Sequence, residues 1–177
     1  MSQQKPFSSY ITPKQLLSNF QKVVQFNKAF GVKTNITPQL DIFDTDPKFV
    51  ESRLALIRDE FNETVEAIKN KDFTEMTDGL MDLLVVTYGM CANLGIDADK
   101  CLEIVNKSNL SKLCDTEDIA IQSVKCYQQE IPQRYDSPTY RKSDCGNYWV
   151  VYNSSTSKIL KSYKYTPANF TSVLKLI

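Results

Sequence analysis

The sequence predicts an all-α fold, a four- to five-helix antiparallel bundle with a small β-hairpin as a C-terminal extension. Three observations carry that prediction. Thr12-Pro13 and Asp46-Pro47 both set a capping residue before a proline at the first helical position, which is how helices open. Apolar residues interleave with acids at helical spacing in RDEFNETVEAIKN and TEMTDGLMDLLVVTYG. Beyond residue 114 the texture changes, and YWVVYN, a polar SSTS turn and KILKSYKY read as a hairpin.

The elements follow in order. Helix one runs through PKQLLSNFQKVVQFNKAF from Thr12-Pro13 and is closed by Gly31. Residues 32–46 lack sustained periodicity and form a loop. Helix two starts at Asp46-Pro47 and continues through FVESRLALIRDEFNETVEAIKN to a break at Lys71-Asp72, after which Thr74 is a candidate cap. Helix three spans about Glu75 to Leu94 and ends at Gly95, and Asp97 caps helix four, ADKCLEIVNKSNLSKL. The short break makes helices two and three an antiparallel pair. Glu63 lies about nine residues before the break and Asp82 about ten after it, so at 1.5 Å rise per residue they stand at matching heights. TEDIAIQSVKCYQQEI reads as a fifth helix with Ile119, Ile121, Val124 and Tyr127 as its apolar members, and PQRYDSPTYRKSDCGN as a loop. In the hairpin, Trp149, Val151, Ile159 and Leu160 form the expected buried side; a lone hairpin is marginal in water, so it packs on the helical core or on a partner. The expected division is a helical core over residues 10–114 and an extension over 115–177.

Composition excludes several classes. The 177 residues carry 21 basic and 21 acidic groups. Residues 1–114 are net −2 and residues 115–177 net +2, an imbalance too small for a basic nucleic-acid stripe, so no nucleic-acid polymer is expected as a partner. No apolar run approaches about 18 residues, and the opening MSQQKPFSSYITP is polar, so the expectation is a soluble, cytoplasmic protein without a membrane partner. The five cysteines, Cys91, Cys101, Cys114, Cys126 and Cys145, are widely spaced without a C-x-x-C pair, which suits reduced thiols, with Cys91 and Cys101 as small core residues. Histidine is absent, which removes the usual zinc and di-iron ligands and the usual general base.

Four acids stand out against that background. Glu60 and Glu63 are three apart on helix two, and Asp78 and Asp82 four apart on helix three, so each pair shares a helix face. Leu56, Ile57, Phe61, Val65 and Ile68 on one helix, and Leu80, Leu83, Leu84, Val85 and Tyr88 on the other, place the carboxylates beside a buried stripe. Like charges at the edge of an apolar seam repel one another and lose hydration unless a cation or protons compensate. Acids three or four apart also occur on solvated helix faces, but two such pairs on adjacent antiparallel helices point to a hard cation. Oxygen-only ligands favour Mg2+, with Mn2+ as a second choice.

These residues resemble the all-α nucleoside-triphosphate pyrophosphohydrolases, the MazG-like group that includes phosphoribosyl-ATP pyrophosphatases and dimeric dUTPases. Its signature is E-x-x-E on one helix and E-x-x-D on the next, the last Asp preceding two apolar residues. Glu60-Phe61-Asn62-Glu63 matches the first half, and Asp82-Leu83-Leu84 supplies the end of the second. The position three before Asp82 is Gly79, so the fourth acid is Asp78, with Glu75 of the literal Glu75-Met76-Thr77-Asp78 as a reserve. VVQFNKAFG, DGLMDLLVVTYGMCANLGID and VNKSNLSK look like the first, third and fourth helices of the phosphoribosyl-ATP pyrophosphohydrolase-like branch, in the right order over roughly residues 15–114, and the tail looks like an extension found in some members.

The resemblance implies a MazG-like bundle that hydrolyses a nucleotide between its α and β phosphates, giving a monophosphate and pyrophosphate. Glu60, Glu63, Asp78 and Asp82 would hold Mg2+, which neutralises phosphate oxygens and lowers the pKa of a bound water. Glu63 or Asp59 would take the water's proton. Asn27, Lys107, Asn109 and Lys112 are the substrate-contact candidates, Asn27 at a base edge and the others at phosphates or sugar. Phe26 and Phe30 are read as core residues beside an alternative role in a base pocket, and Arg53 and Arg58 as surface ion-pair residues that could instead reach a phosphate. Tyr88 and Trp149 are read as core or interface residues. A homodimer or higher homo-oligomer is expected. Two other readings are a degenerate member that binds nucleotide or metal as a sensor or scaffold, and a purely structural helical module.

Overall fold

Ser18 opens the first helix. Its hydroxyl accepts from the Gln21 backbone N–H while the Gln21 side chain accepts from the Ser18 N–H, a capping box that starts α1 (Asn19–Ala29). Leu16 and Leu17 therefore stand outside the helix expected to include them, and Thr12-Pro13 lies outside the described residues, which in this computed structural model are 16–174. The chain divides after Asp99 into two compact units.

In the first unit, the expected loop between helices one and two contains a short α2 (Ile42–Thr45), whose Ile42 is buried. The segment before it is pinned to the end of the fourth helix. Asn35 and Gln39 N–H groups donate to the carbonyls of Ala92 and Leu94, and the buried Asn93 amide donates to the Lys33 carbonyl. α3 (Pro47–Lys69) is capped by Asp46, whose carboxylate accepts from the Phe49 N–H, as the Asp-Pro pair led one to expect. Lys71 turns the chain with φ 57°. α4 (Phe73–Leu94) then starts two residues earlier than expected, because Asp72 and not Thr74 is its cap. The Asp72 carboxylate accepts from the N–H groups of both Thr74 and Glu75. Gly95 ends α4 in the left-handed region at φ 70° and packs against the Thr37 carbonyl, where a Cβ would have no room.

The α3–α4 seam is made of small residues. Thr64, Ala67, Gly79 and Ala92 are buried. The expected stripe is only partly there: Ile57, Val65, Leu83 and Tyr88 are half-buried, but Leu56, Phe61, Ile68, Leu80, Leu84 and Val85 are exposed. The reason is geometric, since helices that approach through Gly, Ala and Thr turn their bulky side chains outward.

The second unit takes up most of α5 (Ala98–Leu110), which ends one turn before the expected Leu113, and continues into α6 (Glu117–Gln128), capped by Thr116. The predicted hairpin is the smaller pairing of a three-stranded antiparallel sheet. β1 (Pro138–Lys142) forms in what the sequence presented as loop, and pairs with β2 (Trp149–Asn153), which pairs with β3 (Lys158–Ile159). A four-residue α7 (Thr171–Leu174) follows. Cys114, Ala120, Val124, Val151 and Leu160 form the core, with Trp149 and Tyr140 packed on it. Trp149, Val151 and Leu160 are thus on the buried side as expected, whereas Ile159 is 49% exposed, because the alternation of the strand sends its neighbour Leu160 inward. Of the cysteines Cys114 is the buried one, Cys91 and Cys101 are half-buried, and all five lie outside disulfides among the described residues. No single described helix is long and apolar enough to cross a membrane.

Candidate active site

The turn at Asn70–Asp72 sets the register of α3 against α4. Thr64 lies seven residues before Lys71, Gly79 lies seven after Asp72, and the two meet. A Cβ built on Gly79 would stand 2.6 Å from Thr64 Oγ1 and 3.3 Å from both the Cα and N of Thr64. Thr64 Oγ1 in turn donates to the Glu60 carbonyl at 2.9 Å, so the hydroxyl fits between the helices while leaving the Glu60 turn helical. Gly79, a departure from the signature, is therefore a point of close approach, and the signal for it was a glycine inside an apolar helical pattern.

One turn beyond that contact the acids gather. Glu60 is half-buried, and its carboxyl is held above the usual range by burial first, then by the charges of Glu63, Asp82, Asp59 and Asp78 in that order. Acids from both helices thus act on one side chain. Asp78 is among them and Glu75 is not. Asp82 is half-buried, and Asp59, Glu63 and Asp78 are exposed. Among the described residues, no three His, Cys, Asp or Glu side chains are drawn together as ligands of one ion. The donor chemistry suits a hard cation, since every group is a carboxylate, and the repulsion at Glu60 is what such a cation relieves.

Among the described residues of this unit, two buried side-chain N–H donors have no acceptor. Asn27 of α1 is buried, its Nδ2 is unpartnered, and this nitrogen lies 3.8 Å from where a Cβ on Gly89 would be. Arg53, two helical turns before Glu60 on the same face of α3, has an unpartnered buried Nε and lies over the Phe49 ring at 5.3 Å. It is not the surface ion-pair residue the sequence presented. Phe26 and Phe30 are not core residues either; they are 49% and 72% exposed and pair with each other at 4.5 Å between centroids. Tyr88 is half-buried and meets Phe20 at 6.0 Å. In the second unit, Lys112 Nζ donates to Asn109 Oδ1 at 2.7 Å, and Lys107 is exposed.

Residues 23–109, which include every one of these acids, match the family model described as phosphoribosyl-ATP pyrophosphohydrolase. The matched segment is similar to that family, and its helices are consistent with the all-α nucleoside-triphosphate pyrophosphohydrolase superfamily. Among relatives of this pyrophosphohydrolase-like chain is the uncharacterized protein L479 of Acanthamoeba polyphaga mimivirus. It is 24% identical over an alignment covering 93% of this chain and 98% of that protein, so the likeness runs through both units.

Proposed function

We propose that the chain hydrolyses a nucleoside triphosphate, or a phosphoribosyl-ATP-like nucleotide, between its α and β phosphates with the help of Mg2+. The observation that carries this reading is the convergence of acids from α3 and α4 on the half-buried Glu60, inside the segment that matches the pyrophosphohydrolase family. Glu60, Glu63, Asp78 and Asp82 would hold the ion, which when bound neutralises phosphate oxygens and makes water easier to deprotonate. Glu63 or Asp59, both exposed, would accept the proton as the water oxygen bonds to phosphorus and the P–O bond to the leaving pyrophosphate breaks. Asn27 and Arg53 bring N–H donors that need acceptors, which a base carbonyl and a phosphate oxygen supply.

The same reading calls for a second copy of the chain. Phe61, Ile68, Leu80, Met81 and Leu84 leave more apolar surface open on α3 and α4 than an isolated helical pair keeps in water, and a homodimer covers it. The loose spacing of the acids favours one other reading, a degenerate member that binds nucleotide or metal without turnover.

Product analysis by 31P NMR separates them. With Mg2+ and a panel of nucleoside triphosphates plus phosphoribosyl-ATP, the expected products are a monophosphate and pyrophosphate. Diphosphate and orthophosphate would contradict the proposed bond, and binding without products would support the degenerate reading.

A further inference from the structure

We propose that one face of the second unit binds single-stranded nucleic acid. The face is assembled from segments far apart in the chain. Lys158 Nζ lies 5.3 Å from the centroid of the Tyr135 ring, and Tyr135 meets Tyr127 edge to face at 5.4 Å. The Tyr127 hydroxyl accepts from the Lys161 N–H and donates to the Lys161 carbonyl, both at 3.0 Å. That clamp fixes the backbone from which the Lys161 side chain reaches over the Tyr165 ring, at 4.3 Å. Lys164 sits 5.9 Å from Tyr163, which is 51% exposed. These contacts join Lys158, Tyr135, Tyr127, Lys161 and Tyr165 into one track of ammonium groups and phenol rings, in which Tyr127 and Tyr135 also pack against the core, with the exposed Tyr163 and Lys164 next along the chain.

The charges on this track are not spent internally. None of Lys158, Lys161 and Lys164 has a carboxylate at ion-pair distance among the described residues, although other basic groups of the unit do, Arg134 with Glu130 and Arg141 with Asp144. The imbalance extends to the whole unit, since residues 100–177 hold 11 basic and 7 acidic groups, whereas residues 1–99 hold 10 and 14. An ammonium beside a ring face offers a phosphate and its neighbouring base adjacent partners. This pairing of a cationic track with stacking platforms is how sequence-tolerant binders of single strands work. Simple anions would need only the lysines. The tyrosines are what select a polymer of bases. The sequence order hides the track, because Tyr127 comes from α6 and Tyr135 from the loop before β1.

The test is fluorescence anisotropy of a 5′-labelled twelve-residue oligothymidylate with the full chain, titrated from 25 to 200 mM NaCl as conditions of the assay. Three lysine–phosphate contacts predict a slope of log K against log salt of about −2, from about −0.7 per contact on a single strand. Lys158→Gln, Lys161→Gln and Lys164→Gln combined should bring the slope close to zero. Tyr163→Leu, a surface change, should weaken oligothymidylate roughly ten-fold while leaving heparin binding unchanged, as stacking on that ring requires. Trp149 fluorescence checks that each variant is folded. No binding at 25 mM NaCl, a slope indifferent to the lysine substitutions, equal losses for heparin and oligothymidylate in Tyr163→Leu, or displacement of the oligonucleotide by anionic phosphatidylserine vesicles would each overturn the proposal.

Discussion

Gly79 lies so close to Thr64 that a methyl group on it would stand 2.6 Å from the Thr64 hydroxyl oxygen. An acid at this position, as in the family signature, has no room while Thr64 faces it. The acid of α4 that acts on Glu60 is instead Asp78, one residue earlier, together with Asp82 one turn on. Signature departure and helix packing are thus one fact.

Gly79→Ala tests that relationship. In an open helix the substitution stabilises by about 0.5–1 kcal/mol through backbone entropy. Here overpacking against Thr64 reverses the sign, and a net loss of about 1–3 kcal/mol is expected in urea denaturation. Adding Thr64→Ala removes the atom at 2.6 Å, so the double variant should regain most of the loss. Additive losses would show that the two side chains do not share this space.

The start of α4 gives a second comparison. Asp72 accepts two backbone N–H groups and Thr74 is not a cap, so Asp72→Ala should cost about 0.5–2 kcal/mol and Thr74→Ala clearly less. Equal effects in thermal melts would restore Thr74 as the cap.

In the second unit, neighbouring residues of one segment should differ sharply. Leu160 is 2% exposed in the core, so Leu160→Ala should cost about 2–5 kcal/mol. Ile159→Ala, at the exposed position, should cost less than about 1 kcal/mol. The chain's single tryptophan, Trp149, packs on this core and reports the transition by its fluorescence.

Acid should also reach this unit through Asp136. Hydrogen bonds from Asn153 and Ser155 hold its carboxyl below the usual 3.8, so the group contributes stability above that value. The contribution is lost as pH falls from 3.8 through the lower folded-state pKa. Asp136→Ala should therefore be less stable than wild type at neutral pH, and the gap should narrow in that acid window. A gap that is constant from neutral pH to below the window would mean that the carboxylate is not the group that matters.

Much of this was legible in the sequence. Asp46-Pro47, Gly95 and the short break at Lys71-Asp72 are local signals, and local hydrogen bonding settles them. Chain geometry alone set Glu63 and Asp82 at matching heights on an antiparallel pair. What the sequence could not show depended on tertiary contacts. Hydrophobic spacing marked Phe61 and Leu80 as buried because periodicity identifies a face without saying what covers it, while the seam itself is built from Thr64, Ala67 and Gly79. β1 was hidden in a segment whose proline, serine and aspartate read as loop, and only its pairing with Trp149–Asn153 makes it a strand. The free Arg53 Nε was invisible for the same reason, since the absence of an ion-pair partner is a property of the fold.

The proposed hydrolysis requires the acids of α3 and α4 to work as one Mg2+-dependent site. The most direct test measures pyrophosphate release by the wild-type chain with Mg2+ or with EDTA, beside Glu63→Gln and Asp82→Asn, one substitution on each helix. The expected result is release that EDTA abolishes and that each substitution lowers by at least about 100-fold in folded protein. Release that persists in EDTA, or in either variant at the wild-type rate, would contradict it.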